Sequence, residues 1–192
     1  KDHYIPAFLK VDDQVYKINL RYRGDTNVHW MFKQKSLRIK INDGNLYDMH
    51  TKFNLVNTIT HDILMESVNY TIAENENLIA PEFYPVRVFI NSEYFGVYDF
   101  LSQADESLLR KNKRMPGSIY SEAGANSDAN NDKVHDLWWN SDLWEKKASR
   151  NRESRSNRED IDFLINAIQK DTNISFYQIF NSMFKKEAFY NF

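Results

Sequence analysis

The chain has 192 residues, of which 42% are hydrophobic and 15% aromatic, and it carries a formal net charge of −2. That is enough apolar material for one domain, or for one domain and part of another, and too little positive charge for a binder of polyanions over its whole surface. The absence of cysteine excludes a disulfide scaffold, a thiolate metal site and a cysteine nucleophile.

A mean hydropathy of −0.67 indicates a wet surface. No apolar run approaches the roughly 18 residues of a transmembrane helix. The first residues, Lys1-Asp2-His3-Tyr4, lack the pattern of a signal peptide. The segment from Lys185 to Phe192 reads as the start of a helix and ends without punctuation, so a truncated chain is expected.

Tyr16, Ile18, Leu20 and Tyr22 alternate with Lys17, Asn19, Arg21 and Arg23, the period of a half-buried strand. Gly24-Asp25 turns it, and Leu37, Ile39 and Ile41 alternate with Ser36, Arg38 and Lys40 as a second strand. Asn42-Asp43-Gly44-Asn45 is a strong turn. Asp62 is an expected N-cap of a helix through about Leu78, with Leu64, Met65, Val68 and Ile72 as its buried face and Ala80-Pro81 as its stop.

Val86 to Ile90, Asn91-Ser92-Glu93 and Tyr94 to Leu101 read as a hairpin. Asp105 to Lys113 reads as a short helix, followed by a short edge strand at Ser118 to Tyr120. Ser121 to Lys133 is rich in Asn, Asp, Ala and Gly, the composition of a loop. Leu137 to Trp144 holds three of the four tryptophans, and Lys146 to Asp160 is charged, a solvated helix or linker. Ile161, Leu164, Ile165 and Ile168 have helical spacing, as do Phe176, Ile179, Phe180 and Met183. The order predicts an α+β fold. Residues 1–120 form a strand-rich lobe with hairpins, 121–160 a loop and charged connection, and 161–192 the start of a helical lobe.

Between Tyr16 and Ile41 stand seven Lys or Arg residues and one acid, Asp25. Most of these cations suit an exposed strand face. Lys35 does not, because an unbulged strand puts it on the face of Leu37, Ile39 and Ile41. A half-buried ammonium there calls for a carboxylate or phosphate partner. Arg23, just before the turn, has the planar fork that grips such groups. His29-Trp30 suits a lid, a stacking platform or core.

Standard phosphate-loop, zinc-protease and serine-hydrolase motifs are absent, and the five histidines have no metal-ligand spacing. Asp43 and Asp62 sit where turns and caps favour Asp. The sequons at Asn69 and Asn173 are weak, the first because it falls on an expected helix.

Arg21-Tyr22-Arg23-Gly24-Asp25, His29-Trp30 and Lys33-Gln34-Lys35-Ser36-Leu37-Arg38-Ile39-Lys40 together resemble the signature of the CotH (spore coat protein H-like) kinases. Leu46-Tyr47-Asp48, Phe53-Asn54-Leu55, Ala80-Pro81, Val86 to Asn91, Tyr94 to Tyr98 and Pro116-Gly117-Ser118-Ile119-Tyr120 are similar to later segments of that family, in order. The resemblance is close over Ala7 to Tyr120 and looser to Phe192.

It implies an atypical protein kinase-like fold and phosphate transfer from ATP to protein Ser or Thr with Mg or Mn. It also implies a coat or surface protein as substrate, and a spore-coat, cell-surface or extracellular location. By position Lys35 would hold nucleotide phosphates with Arg23 in support, and Gln103 and Asp105 fall in the family's segment after the hairpin. Ser102 stands where the family commonly has a Glu that can pair with the phosphate-binding Lys, and Asp99 or Asp105 would have to compensate. The family's catalytic and metal-binding aspartates are expected beyond Phe192, so no catalytic residue is assigned within this chain. Two other readings compete: a non-catalytic kinase-like coat or adhesion module, and a nucleic-acid binder. Net charge −2 opposes the second.

Overall fold

A computed structural model of the chain describes residues 3–24, 29, 31–57, 63–122, 140–148, 157–169 and 178. The chain divides into two compact units, Lys1–Arg114 and Met115–Phe192. The architecture is α+β, with strands dominating the first unit.

In the first unit the elements run β1 (Ile5–Val11), β2 (Gln14–Tyr22), β3 (Leu37–Ile41), β4 (Lys52–Asn57), α1 (Ile63–Asn75), β5 (Phe83–Ile90), β6 (Glu93–Ser102) and α2 (Glu106–Lys111). The strands form one antiparallel sheet in the order β1-β2-β3-β4-β6-β5. The period-two pattern of β2 and β3 produces a core face on which Ile18, Leu37, Ile39, Ile41, Phe53, Leu55, Tyr98 and Phe100 are buried. The sheet curls until residues of both edge strands, Leu9 on β1 and Val86 and Val88 on β5, line one groove of about 610 Å³. The apolar face is thus covered in part by its own curvature.

The opposite face of the sheet is more polar and carries α1, whose Tyr70 stacks on Phe83 at 5.3 Å between ring centres. This corrects the expected helix face. Met65, Val68 and Ile72 are exposed, while Glu66, Ser67, Tyr70 and Ala73 are half-buried. The physical reason is the partner surface. Arg38, Asn54 and Asp99 alternate with core residues and so point to the face that carries α1, which meets it with a polar and aromatic stripe. The helix also stops before Pro81. Asn77 takes φ 55°, and Asn77 N–H and Leu78 N–H donate to Glu74 O and Ala73 O, a Schellman end. Asp62, its expected cap, lies outside the described residues.

The hairpin of β5 and β6 turns at Asn91 and Ser92, both at positive φ (50° and 68°), the conformation that matches strand twist. Two strands were not expected. β1 contains Pro6, which reads as a strand breaker, but an edge strand tolerates it. β4 is buried at five consecutive positions, so it shows no alternation.

In the second unit β7 (Ile119–Glu122) pairs with β8 (Trp144–Ala148), a 3-10 turn covers Ser141–Leu143, and α3 (Glu159–Gln169) buries Ile161, Ile165 and Ala167. The expected edge strand and the helix from Ile161 are present. The charged stretch from Lys146 is strand at its start, a correction to the solvated helix or linker. Lys146 is tolerated in β8 because its ammonium lies 5.2 Å from the Tyr120 ring centre, 3.5 Å from Asp160 and 2.8 Å from Asn157 O. The loop expected at 121–133, most of the tryptophan-rich stretch and the helix of Phe176 to Met183 fall largely outside the described residues.

Candidate functional site

The segment joining β2 to β3 has little regular structure at its described end, yet it is fastened at several points. Ser36 is fully buried. Its Oγ accepts from Asn57 N–H at 3.0 Å and lies 3.2 Å from His29 Nδ1. Its backbone accepts from Arg23 N–H at 2.9 Å and donates to His29 O at 2.8 Å. Asn57 Nδ2 donates to Gln34 O at 3.0 Å, and Gln34 Nε2 donates to Val97 O. Strands β4 and β6, with Arg23 just after β2, therefore hold the residues around Lys33 and Lys35.

Lys33, Lys35 and Arg21 line one cleft of about 460 Å³, together with Tyr22, Phe95 and Tyr98. No acidic residue lines it among the described residues. Lys35 precedes β3, but it faces the side expected from parity, since Tyr22 is the register partner of Leu37. The half-buried ammonium stands 5.2 Å from the centre of the Tyr22 ring, whose π-face stabilises a partly desolvated cation. Arg21 lies over the Tyr4 ring and donates to Tyr22 O at 3.3 Å. Burial, with a smaller effect of Tyr22, pushes the Tyr98 phenol up to about 12, so it remains a neutral donor at the cleft wall. The arrangement suits an anion with an aromatic part.

The other expected site residues are not in this cleft. Arg23 belongs to the opposite face, where it acts on Tyr70 of α1. The Tyr70 phenol is raised by burial and then by Glu66, and Arg23 opposes them. Asp99 is fully buried between core-facing Tyr98 and Phe100, so it also points away from Lys35. Gln103 and Asp105 lie beyond the far end of β6. By register Lys35 aligns with Asn57 and Tyr98, whereas Ser102 aligns with Phe53. Ser102 is therefore about 13 Å along the strands and two strands across from Lys35. Asp105 caps α2 by accepting from Ser107 N–H at 2.9 Å. Neither aspartate compensates at Lys35, and a Glu in place of Ser102 would not reach it. The Tyr22 ring is the group that stands beside the Lys35 ammonium.

A second polar group closes the far end of the sheet, and the sequence pattern did not reveal it. Asp48, His50 and Glu82 bring ligand-type atoms within 4.8 Å of one another. His50 is buried, with Nε2 2.6 Å from Glu82. Lys111 donates to Asp48 at 2.5 Å and also pairs with Glu82. Burial works to lower the Lys111 pKa, but the hydrogen bonds it donates to Asp48 and Glu82 and their negative charge outweigh this and leave it raised. The ammonium occupies the position a cation would take, and an imidazole is a poor ligand for Mg. The cluster does not fit the divalent ion of a phosphotransfer enzyme. Asp48 lies within the tight turn that His50 closes with Tyr47, but Glu82 and Lys111 come from remote parts of the chain, so only folding joins them.

Among the described residues no helix is long and apolar enough to cross a membrane. No curated protein matches the chain. The family model for the CotH kinase protein matches residues 20–192, from near the end of β2 onward. With the basic segment, the hairpin of β5 and β6 and the lysines of the cleft inside that match, the chain belongs to the CotH kinase family.

Proposed function

We propose that the first unit is the nucleotide-binding part of an atypical protein kinase-like fold that transfers phosphate from ATP to Ser or Thr of a coat or surface protein. One observation carries the reading: Lys33 and Lys35 line a cleft with Tyr22, Phe95 and Tyr98, and no acid lines it among the described residues. Rings of that kind hold a base and cations hold phosphates. During transfer the bond from the β–γ bridging oxygen to the γ-phosphorus breaks and a bond to the acceptor hydroxyl forms. Charge on the transferring oxygens is then met by Lys35 and Lys33. A divalent ion, Mg or Mn, supplies further neutralisation of the phosphates when bound. No described residue is assigned to hold it or to accept the hydroxyl proton. Arg23 is assigned to the face of α1, where it positions the start of the β2–β3 segment through its N–H to Ser36 O.

The test is transfer of labelled phosphate from ATP by the full-length protein with Mg or Mn. Wild type is expected to label protein Ser or Thr, and Lys35→Ala to abolish the labelling. Unchanged transfer in that variant would remove Lys35 from the site. A second reading, a non-catalytic coat or adhesion module, draws on Ser102. Its Oγ accepts from Glu82 N–H at 2.8 Å, so the family's Glu position serves the fold here. Absence of any thermal stabilisation of the full-length protein by ATP would favour that reading.

A further inference from the structure

The six-stranded sheet is open, and β1 and β5 are its two edges among the described strands. The groove of about 610 Å³ runs between them. Leu9 and Val11 form one wall, Val86 and Val88 the other, and Phe53 and Phe100 the floor. Residues 9–12 and 86–89 border it, each stretch about 13 Å long. The groove shares no lining residue with the cleft of Lys33 and Lys35.

Its rim carries charge of one predominant sign. Lys10 and Arg87 alternate with the wall residues, yet both border the groove, one on each edge strand. Both are exposed, and neither takes part in an ion pair among the described residues. Asp12, in the turn between β1 and β2, is the one acid bordering the groove among the described residues. Two free cations against one carboxylate favour an anionic head group, while the walls and floor favour an alkyl tail. The edges also resist closure by an added strand. Pro6 on β1 and Pro85 on β5 have no N–H to offer, and charged side chains such as Lys10 and Arg87 guard an edge against pairing.

We infer that this groove binds a single-chain amphipathic anion, a free alkyl carboxylate, with its tail between the walls of β1 and β5 and its head at Lys10 and Arg87. The inference is independent of the kinase reading. A free molecule fits better than a bilayer. Phe53 and Phe100 are 2% exposed, so the apolar surface is recessed between two strands, where a single tail reaches and a flat bilayer does not. The chain also carries a net charge of −2, whereas attachment to an anionic membrane draws on several basic residues over a broad face.

The experiment is calorimetric titration of the full-length protein with octanoate, decanoate and dodecanoate, each below the concentration at which it forms micelles. Dodecyltrimethylammonium serves as the cationic control. One molecule per chain is expected, with binding about threefold tighter for each added methylene. The cationic control is expected to bind more weakly than dodecanoate. Lys10→Glu and Arg87→Glu change only exposed side chains. Together they are expected to weaken dodecanoate about tenfold or more and to leave the urea midpoint near that of wild type. Lys10→Gln with Arg87→Gln is expected to fall between, which separates charge from any loss of folding. Saturating ADP is expected to leave dodecanoate binding unchanged, because the groove and the cleft share no residue. Equal binding of the cationic control, no dependence on tail length, or wild-type affinity in the Glu double variant overturns the assignment. So does displacement of dodecanoate by ADP, which would put the anion in the cleft. Attachment to vesicles containing phosphatidylglycerol without binding of free dodecanoate overturns it as well.

Discussion

The ammonium of Lys35 stands 5.2 Å from the centre of the Tyr22 ring, and the two residues share a cleft that no carboxylate lines among the described residues. A lysine held by a ring keeps its full charge available to an incoming anion, whereas a lysine in a salt bridge must first leave its partner. The prediction is that Lys35→Met weakens ADP binding by tenfold or more, about 1.4 kcal/mol, while Lys35→Arg retains most of it. Tyr22→Leu removes only the ring and is expected to cost about 0.5–1 kcal/mol of stability. Calorimetric titration with ADP and urea unfolding separate these effects. Wild-type affinity in Lys35→Met would end the assignment.

Gly24 has φ +111°, and a Cβ there would overlap the His29 ring. Gly24→Ala must therefore displace His29 and its contact with buried Ser36. A loss of about 1–3 kcal/mol is expected, read as a lower urea midpoint with unchanged slope. A midpoint equal to wild type contradicts the packing of this turn.

Lys111 joins Asp48 and Glu82 at the far end of the sheet, with its pKa raised in the folded chain. A raised lysine contributes stability that is fully present below its unfolded value near 10.5 and is lost as pH rises through the folded value. Lys111→Met leaves two carboxylates without their cation and is expected to cost about 1–3 kcal/mol at neutral pH. The gap between variant and wild type should close in strongly alkaline solution. A gap that is constant with pH would mean that packing, not charge, is what the substitution removes.

In the second unit Tyr120 donates its hydroxyl proton to Asp160. Burial works to raise the Asp160 pKa, but hydrogen bonds from Tyr120, Ser118 and the Ile161 backbone, with the charge of Lys146, leave it lowered. Its contribution to stability is present above the unfolded value near 3.8 and is lost as pH falls through the lower folded value. Tyr120→Phe should move the Asp160 midpoint upward in a carboxyl-carbon NMR titration. No movement would show that the hydroxyl is not what holds the carboxylate.

The strands β2 and β3 and the hairpin of β5 and β6 were legible because each alternates apolar and polar residues and ends in turn chemistry. β4 was not, because a central strand buried on both faces shows no alternation. For α1 the residues indicated a helix, while the sheet decided which stripe it buries. Lys146 looked like solvated surface until Tyr120, Asp160 and Asn157 were brought around it.

By itself the sequence determined the family, the basic segment and the direction in which Lys35 faces, because these follow from local order and from the two-residue period of a strand. Tertiary structure alone decided which residues share a site. It separated Arg23 and Asp99 from Lys35 by a sheet face and Gln103 and Asp105 by the length of a strand, and it put Tyr22 beside the lysine. The physical reason is that register and curl set distances between residues remote in the chain, and no local pattern encodes them.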